Sequence, residues 1–209
     1  MQLRPYQQQA VDETIGALVN YNSVVFQLDT GGGKTPCQAI ISKRYITKFT
    51  QNSVLICVDS DKLAEQMCKT IAKWTGIKAQ HINSHAKSIQ PARIYIAMIE
   101  TLKRRIGRPY YKHLLSNIGL ILIDEAHMGN FKPLKEMFPD AKRIGFTATP
   151  IYATSRYPMK NDYQYIVSPI SIPELIENGS LVQNYTQAPY DEVRSTLKIK
   201  NGKFDDKQQ

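Results

Sequence analysis

Cysteine and histidine are scarce in this chain, and that scarcity removes several classes of protein at once. The three cysteines, Cys37, Cys57 and Cys68, lie far apart and form no Cys-x-x-Cys pair, so no disulfide framework is encoded. Cys57 falls inside the apolar run Ser53–Val58 and is expected to be core packing. Four histidines are too few and too scattered for a zinc site, with Cys68, His81 and His85 as the one trio to check in space. No apolar run approaches the roughly 20 residues that cross a bilayer. The N-terminus is polar from residue 2 and lacks a signal-peptide core. These absences predict a cytosolic protein with no membrane partner. Internal repeats and low-complexity stretches are also missing.

What the chain does have is size, ordinary apolar content and an excess of positive charge. Its 209 residues, 42% of them apolar, suffice for one well-packed domain with a small appendage. The net charge of +9 favours a polyanionic partner.

Along the chain, short apolar runs alternate with helical patterns. Pro5–Val19 reads as a helix with proline in its first turn. Val24–Leu28 is a β-branched and aromatic strand. Ala39–Ile46 is helical, Val54–Val58 a strand, and Lys62–Lys73 a helix ended near Gly76. Lys78–Ile82 is a short strand and Arg93–Ile99 another, followed by a helix from about Glu100 through Arg105. Gly119–Ile123 and Arg143–Phe146 complete the strands of the main pattern. After Pro150 the pattern weakens, with Tyr163–Val167 and Leu181–Tyr185 as candidate strands, Pro173–Asn178 as a short helix, and Lys198–Gln209 as a polar tail. Such alternation predicts an α/β fold, a mostly parallel sheet covered by helices on both faces. Three glycine- or acid-rich segments, 29–35, 124–127 and 147–150, fall at strand ends. In such sheets the loops at the carboxyl ends form the ligand crevice.

The first of these segments carries the clearest chemistry. A strand runs into Asp29-Thr30-Gly31-Gly32-Gly33-Lys34-Thr35, where a helix opens. Glycines let backbone N–H groups close around phosphate oxygens, and the helix N-terminus adds its positive end. Lys34 is placed for the β- and γ-phosphates and Thr35 for magnesium. The strict phosphate-loop pattern asks for glycine where Leu28 stands. Taken alone, the segment also reads as a glycine-rich turn with an exposed lysine.

Asp124 ends an apolar strand, where a carboxylate is costly unless a cation pairs with it. Magnesium between Asp124, Thr35 and phosphate would supply the pairing, and Glu125 would orient and deprotonate an attacking water. His127 faces out from the same turn. The hydroxyls of Thr147 and Thr149 are placed to bond His127 or the acidic loop, or to form a local Ser/Thr turn.

Together these motifs resemble the N-terminal RecA-like domain of a superfamily 2 helicase of the DEAH or DExH kind. LRPYQQQAV (3–11) resembles the glutamine motif, TGGGKT (30–35) motif I, DEAH (124–127) motif II and TATP (147–150) motif III. The segment between motifs II and III, and ISIPELIENGSLV (170–182), look like DNA repair, branch-migration and phage-encoded members. The resemblance implies ATP and Mg2+ as cofactors and single-stranded or branched DNA as partner. It implies that Gln7 reads the adenine with Arg4 or Tyr6 packing nearby, and that Thr30 to Thr35 hold the phosphates. Asp124 would bind the metal, Glu125 would act as catalytic base, and His127, Thr147 and Thr149 would couple nucleotide state to nucleic-acid contact. Ser60 and Thr101 become candidate phosphate contacts, with Lys103, Arg104 and Arg105 beside them. Those basic residues also fit a solvated helix face.

Asp29 departs from the family, which often carries proline there. The resemblance assigns residues 1–195 to the ATP-binding domain. It assigns 196–209 to a linker toward a second RecA-like domain that would supply an arginine finger. The readings open at this level are a DNA helicase in repair, recombination or replication, a duplex-DNA translocase of a restriction or remodelling system, an RNA helicase, and a catalytically silent nucleotide-dependent binding module.

Pro36 yields a test. It has no N–H, so one donor is lost where the loop meets the helix. Pro36→Ala is expected to tighten ATP binding in a calorimetric titration, and unchanged affinity would refute the idea.

Overall fold

Strands that are apolar on both faces need cover on both faces, and the chain supplies it from alternate crossovers. The computed structural model describes residues 1–85, 88–129, 132–151, 159–177 and 179, with the backbone of 199–200 and 203–204. In chain order the elements are α1 (Pro5–Asn20), β1 (Ser23–Gln27), α2 (Lys34–Lys48), β2 (Ser53–Val58), α3 (Asp61–Thr75), β3 (Gln80–Ile82), β4 (Ile94–Met98), α4 (Ile99–Arg105), α5 (Pro109–Leu114), β5 (Ile118–Ile123), α6 (Lys132–Met137), β6 (Lys142–Thr147), β7 (Tyr165–Val167) and α7 (Ile172–Glu177). One-turn 3-10 helices lie at Ala126–Met128 and Met159–Asn161.

Seven strands form one sheet in the order β3-β4-β2-β5-β6-β1-β7. Every ladder in it is parallel. Side chains alternate between two cores. Val24, Phe26, Val54, Ile56, Leu120, Leu122, Ile144 and Phe146 face α1, α2 and α3. Val25, Leu55, Cys57, Ile121 and Ile123 face Leu102 of α4, Tyr111 of α5 and Leu134 of α6. This period of two explains why β5 reads as an unbroken apolar run: each of its faces belongs to a different core. Cys57 is fully buried as expected.

Local chemistry sets the helix ends. Pro5 opens α1, and the Gln7 side chain returns to accept from the Arg4 N–H at 2.9 Å. Ser60 caps α3 by accepting from the Leu63 N–H at 3.2 Å, and Gly76 ends α3 at φ +74, a conformation that favours glycine.

The strands and long helices agree with the sequence pattern to within a few residues at each end. Two short helices, α5 and α6, go beyond that pattern. The tail holds a two-residue antiparallel pair, β8 (Ile199–Lys200) with β9 (Lys203–Phe204), where the sequence suggests only a polar tail. The candidate strand Leu181–Tyr185 lies outside the described residues. No described helix is long and apolar enough to cross a membrane.

Two glycines make opposite predictions. A Cβ on Gly16, mid-α1, would meet nothing within 4 Å, so Gly16→Ala should stabilise the fold by about 0.5–1 kcal/mol. A Cβ on Gly145 in β6 would sit 2.4 Å from the Tyr163 hydroxyl and 2.8 Å from the Ala126 Cβ. Because both neighbours are buried, Gly145→Ala should destabilise by about 1–3 kcal/mol. Urea denaturation of both variants measures each sign.

Candidate functional site

The loops at the carboxyl ends of β1, β5 and β6 meet at one edge of the sheet because the ladders put those ends in register. Gln27 pairs with Thr147, and Ile123 with Gly145. The Leu28 N–H donates to the Thr147 carbonyl at 3.0 Å, and the Asp124 N–H to the Cys57 carbonyl at 2.9 Å. The three segments singled out by sequence are therefore neighbours.

The glycine loop closes on itself and is pinned from α1. The Gly32 N–H donates to the Asp29 carbonyl at 2.9 Å. The Gly32 carbonyl accepts from the Tyr6 hydroxyl at 3.0 Å and from Gln7 Nε2 at 2.7 Å. Gly33 adopts φ +91, and a Cβ there would stand 2.2 Å from Gln7 Nε2. Glycine is thus required both by the backbone and by the approach of Gln7. This gives Gln7 a duty that sequence reasoning missed. Gln7 is 6% exposed, with Oε1 on Arg4 and Nε2 on the loop, so it supports the glycine loop. Only one N–H and one lone pair are left for a base. Arg4 is exposed and reaches the Tyr6 hydroxyl at 3.4 Å.

Lys34 opens α2 and donates to the Leu28 carbonyl at 3.1 Å, with Glu125 Oε1 at 3.9 Å. Asp124 accepts from Gln38 Nε2 at 3.0 Å. Gln38 lies one turn along the helix from Lys34, and Asp124 feels both of them. Burial pushes the Asp124 carboxyl above its ordinary range, and the neighbouring Glu125 adds to the shift; the Gln38 amide and Lys34 oppose it. Glu125 adopts φ +45, the one non-glycine residue with positive φ among those described. That backbone costs about 1–3 kcal/mol and tends to persist where function demands it.

The Glu125–His127–Thr147 contacts form a relay. His127 Nδ1 lies 3.4 Å from Glu125 Oε2 and 3.0 Å from Thr147 Oγ1. The Thr147 hydroxyl donates to the Thr149 carbonyl at 2.8 Å and accepts from the Thr149 N–H at 3.0 Å. Thr147 thus bridges the His127 ring and the backbone of Thr149. Thr147 is buried and Thr149 exposed.

Two further carboxylates stand by. Desolvation first, then Glu125 and Glu100, hold the Asp59 carboxyl above its usual value. Asp59 follows β2, the strand beside β5, and Glu100 follows β4, the next strand out. Sequence reasoning singles out neither of them, nor Gln38. Helical spacing from Lys34 is the available signal for Gln38.

The expected nucleic-acid residues divide. Lys103 and Arg104 are exposed, and Ser60 keeps its own O–H to donate while capping α3. Thr101 is 3% and Arg105 7% exposed. Arg105 binds the Tyr111 hydroxyl and the Ser84 carbonyl, so both residues are held within the fold. His81 pairs with Asp61 at 3.1 Å. Among the described residues no three His, Cys, Asp or Glu side chains gather as metal ligands. Magnesium held mainly by phosphate needs only one or two carboxylates, and Asp124 with Thr35 fits that need.

The fold and the order of its strand-end loops along the chain define a RecA-like domain of the superfamily 2 helicase type, related to DEAH and DExH and to phage helicases. Residues 1–152 match the family model described as "Type III restriction enzyme, res subunit", and the chain belongs to that family. It is 29% identical over 168 residues to "Putative ATP-dependent helicase IRC3" of Saccharomyces cerevisiae, covering 70% of this chain and 23% of that protein. The chain therefore spans less than a quarter of that relative. Among solved structures, the Type ISP restriction-modification enzyme LlaGI, in complex with a DNA substrate mimic, superposes with TM-score 0.69 at 17% identity, over 86% of this chain and 21% of that one. The UvsW helicase of bacteriophage T4 superposes with TM-score 0.61 at 20% identity, over 79% and 60%. At these identities the structures speak for the fold alone.

The Asp124 environment makes a pH prediction. A carboxyl whose folded pKa is raised costs stability wherever it is ionised in the native state. Asp124→Asn should therefore raise the melting temperature of the nucleotide-free protein at pH 7. The gain should shrink as pH falls through the raised native pKa and vanish below the ordinary aspartate value of 3.8. A gain that does not vary with pH would refute carboxylate desolvation as its cause.

Proposed function

We propose that this domain is the ATP-binding half of a DNA translocase motor, of the kind used by restriction enzymes to move on duplex DNA. The reading rests above all on the meeting of Lys34, Asp124 and Glu125 at the carboxyl ends of β1 and β5. The family match supports the restriction setting over the repair setting that the sequence motifs suggest. The fold is shared with LlaGI, a restriction-modification enzyme described in complex with a DNA substrate mimic. A strand-separating helicase is the second reading, favoured by the similarity to the putative ATP-dependent helicase IRC3.

In this mechanism the amides of residues 30–35 and the Lys34 ammonium hold the phosphates. Thr35 and Asp124 hold magnesium. When bound, the metal neutralises phosphate charge and orients the terminal group. Glu125 accepts the proton of the attacking water, its carboxylate being positioned by a constrained backbone and by His127. The His127–Thr147–Thr149 chain passes the state of the Glu125 loop to the end of β6. Lys103, Arg104 and the Ser60 hydroxyl grip nucleic-acid phosphate, which implies little sequence preference and strong salt dependence. A second RecA-like domain in the same polypeptide completes the site with an arginine finger, a group worth orders of magnitude in rate.

The chain alone should then bind Mg–ATP and hydrolyse it slowly. Glu125→Gln should cut hydrolysis by about 100-fold or more while retaining nucleotide binding, and Lys34→Ala should lose binding. Parental hydrolysis by Glu125→Gln would sink the assignment. With the second domain present, triplex displacement without strand separation distinguishes the translocase from the helicase.

A further inference from the structure

Gln38 carries an unanswered polar atom at the centre of the site. Its side chain is fully buried, and its Oε1 is the one buried side-chain nitrogen or oxygen without a hydrogen-bond partner among the described residues. Its Nε2 donates to Asp124 Oδ1 at 3.0 Å. A buried acceptor left without a donor is costly. It persists where a donor arrives with a ligand.

We propose that Gln38 is a positioning residue for magnesium: its N–H holds Asp124 in place, and its Oε1 accepts a hydrogen bond from a water of the metal's shell. The inference rests on the reading of Thr35 and Asp124 as magnesium ligands. Magnesium keeps several of its waters when bound by a protein and phosphates. Such waters turn their lone pairs to the cation and have only hydrogens to offer. An orphaned acceptor beside a metal carboxylate, on the helix face that also carries Thr35, complements that chemistry. Partners of this outer kind typically change metal affinity by about 10–100-fold.

The test uses the full chain, a fluorescent non-hydrolysable ATP analogue at fixed concentration, and a titration with magnesium chloride. Gln38→Met, similar in size but without polar atoms, should raise the magnesium midpoint about tenfold and leave magnesium-free binding of the analogue unchanged. Gln38→Glu keeps acceptor oxygens but loses the N–H to Asp124, so its midpoint should lie below that of Gln38→Met. Thermal melting without nucleotide reports folding separately. Equal weakening by both variants, or an unchanged midpoint in Gln38→Met, overturns the proposal and leaves the Mg–ATP reading intact. A parent protein with no magnesium-dependent binding at all overturns that reading and this inference with it. Should Gln38→Met fail to fold, Gln38→Leu, which also lacks polar atoms, takes its place in the same comparison.

Discussion

The central sheet buries both of its faces, and this constraint decides where charge can stand in the molecule. Val54 to Val58 and Leu120 to Ile123 are all buried, so no polar side chain is accommodated along the middle of either strand. Polar chemistry is displaced to strand ends, where the backbone turns into loops. Parallel ladders put the carboxyl ends of all seven strands on the same edge. Asp124, Glu125, Thr147 and the glycine loop meet because none of them fits elsewhere in this architecture.

Given that edge, a small set of hydrogen bonds makes the loops one unit. Tyr6 and Gln7 anchor Gly32 from α1. The Leu28 N–H ties the base of the same loop to Thr147. Thr147 in turn bonds His127, which lies 3.4 Å from Glu125. The glycine loop and the acidic loop are thus joined by a continuous chain of contacts. The shared strand end of β1 and β6 is the mechanical link, and it is a physical connection through named contacts.

The motif-bearing parts of this arrangement are legible in the sequence because their chemistry is local. Glycines before Lys34, acids after an apolar strand, and hydroxyls after another each declare themselves within a few residues. What stays hidden depends on partners far along the chain. Arg105 looks like a surface cation in the sequence, but Tyr111 and Ser84 draw it inward. Gln38 gains meaning only beside Asp124, 86 residues away. The helices α5 and α6 have six residues each, far below the length at which intrinsic propensity sustains a helix. They exist because Tyr111 and Leu134 have a core to enter. The motif resemblance points Gln7 at a base, yet the structure turns it onto the loop, an outcome governed by the proximity of Gly33 across the α1–α2 interface.

Charge balance at the edge bears on which ligand this site can accept. Asp124 and Glu125 are adjacent, Asp59 and Glu100 raise the local negative potential, and Lys34 is the cation close to Glu125. A bare triphosphate entering at this edge would bring more negative charge against carboxylates already resisting ionisation. The magnesium complex brings a counter-charge for Asp124 together with the phosphates, so it offsets the desolvation that the fold imposes on that residue. With Asp124 as the proposed metal ligand, discrimination in favour of the metal complex thus follows from the burial of the sheet itself.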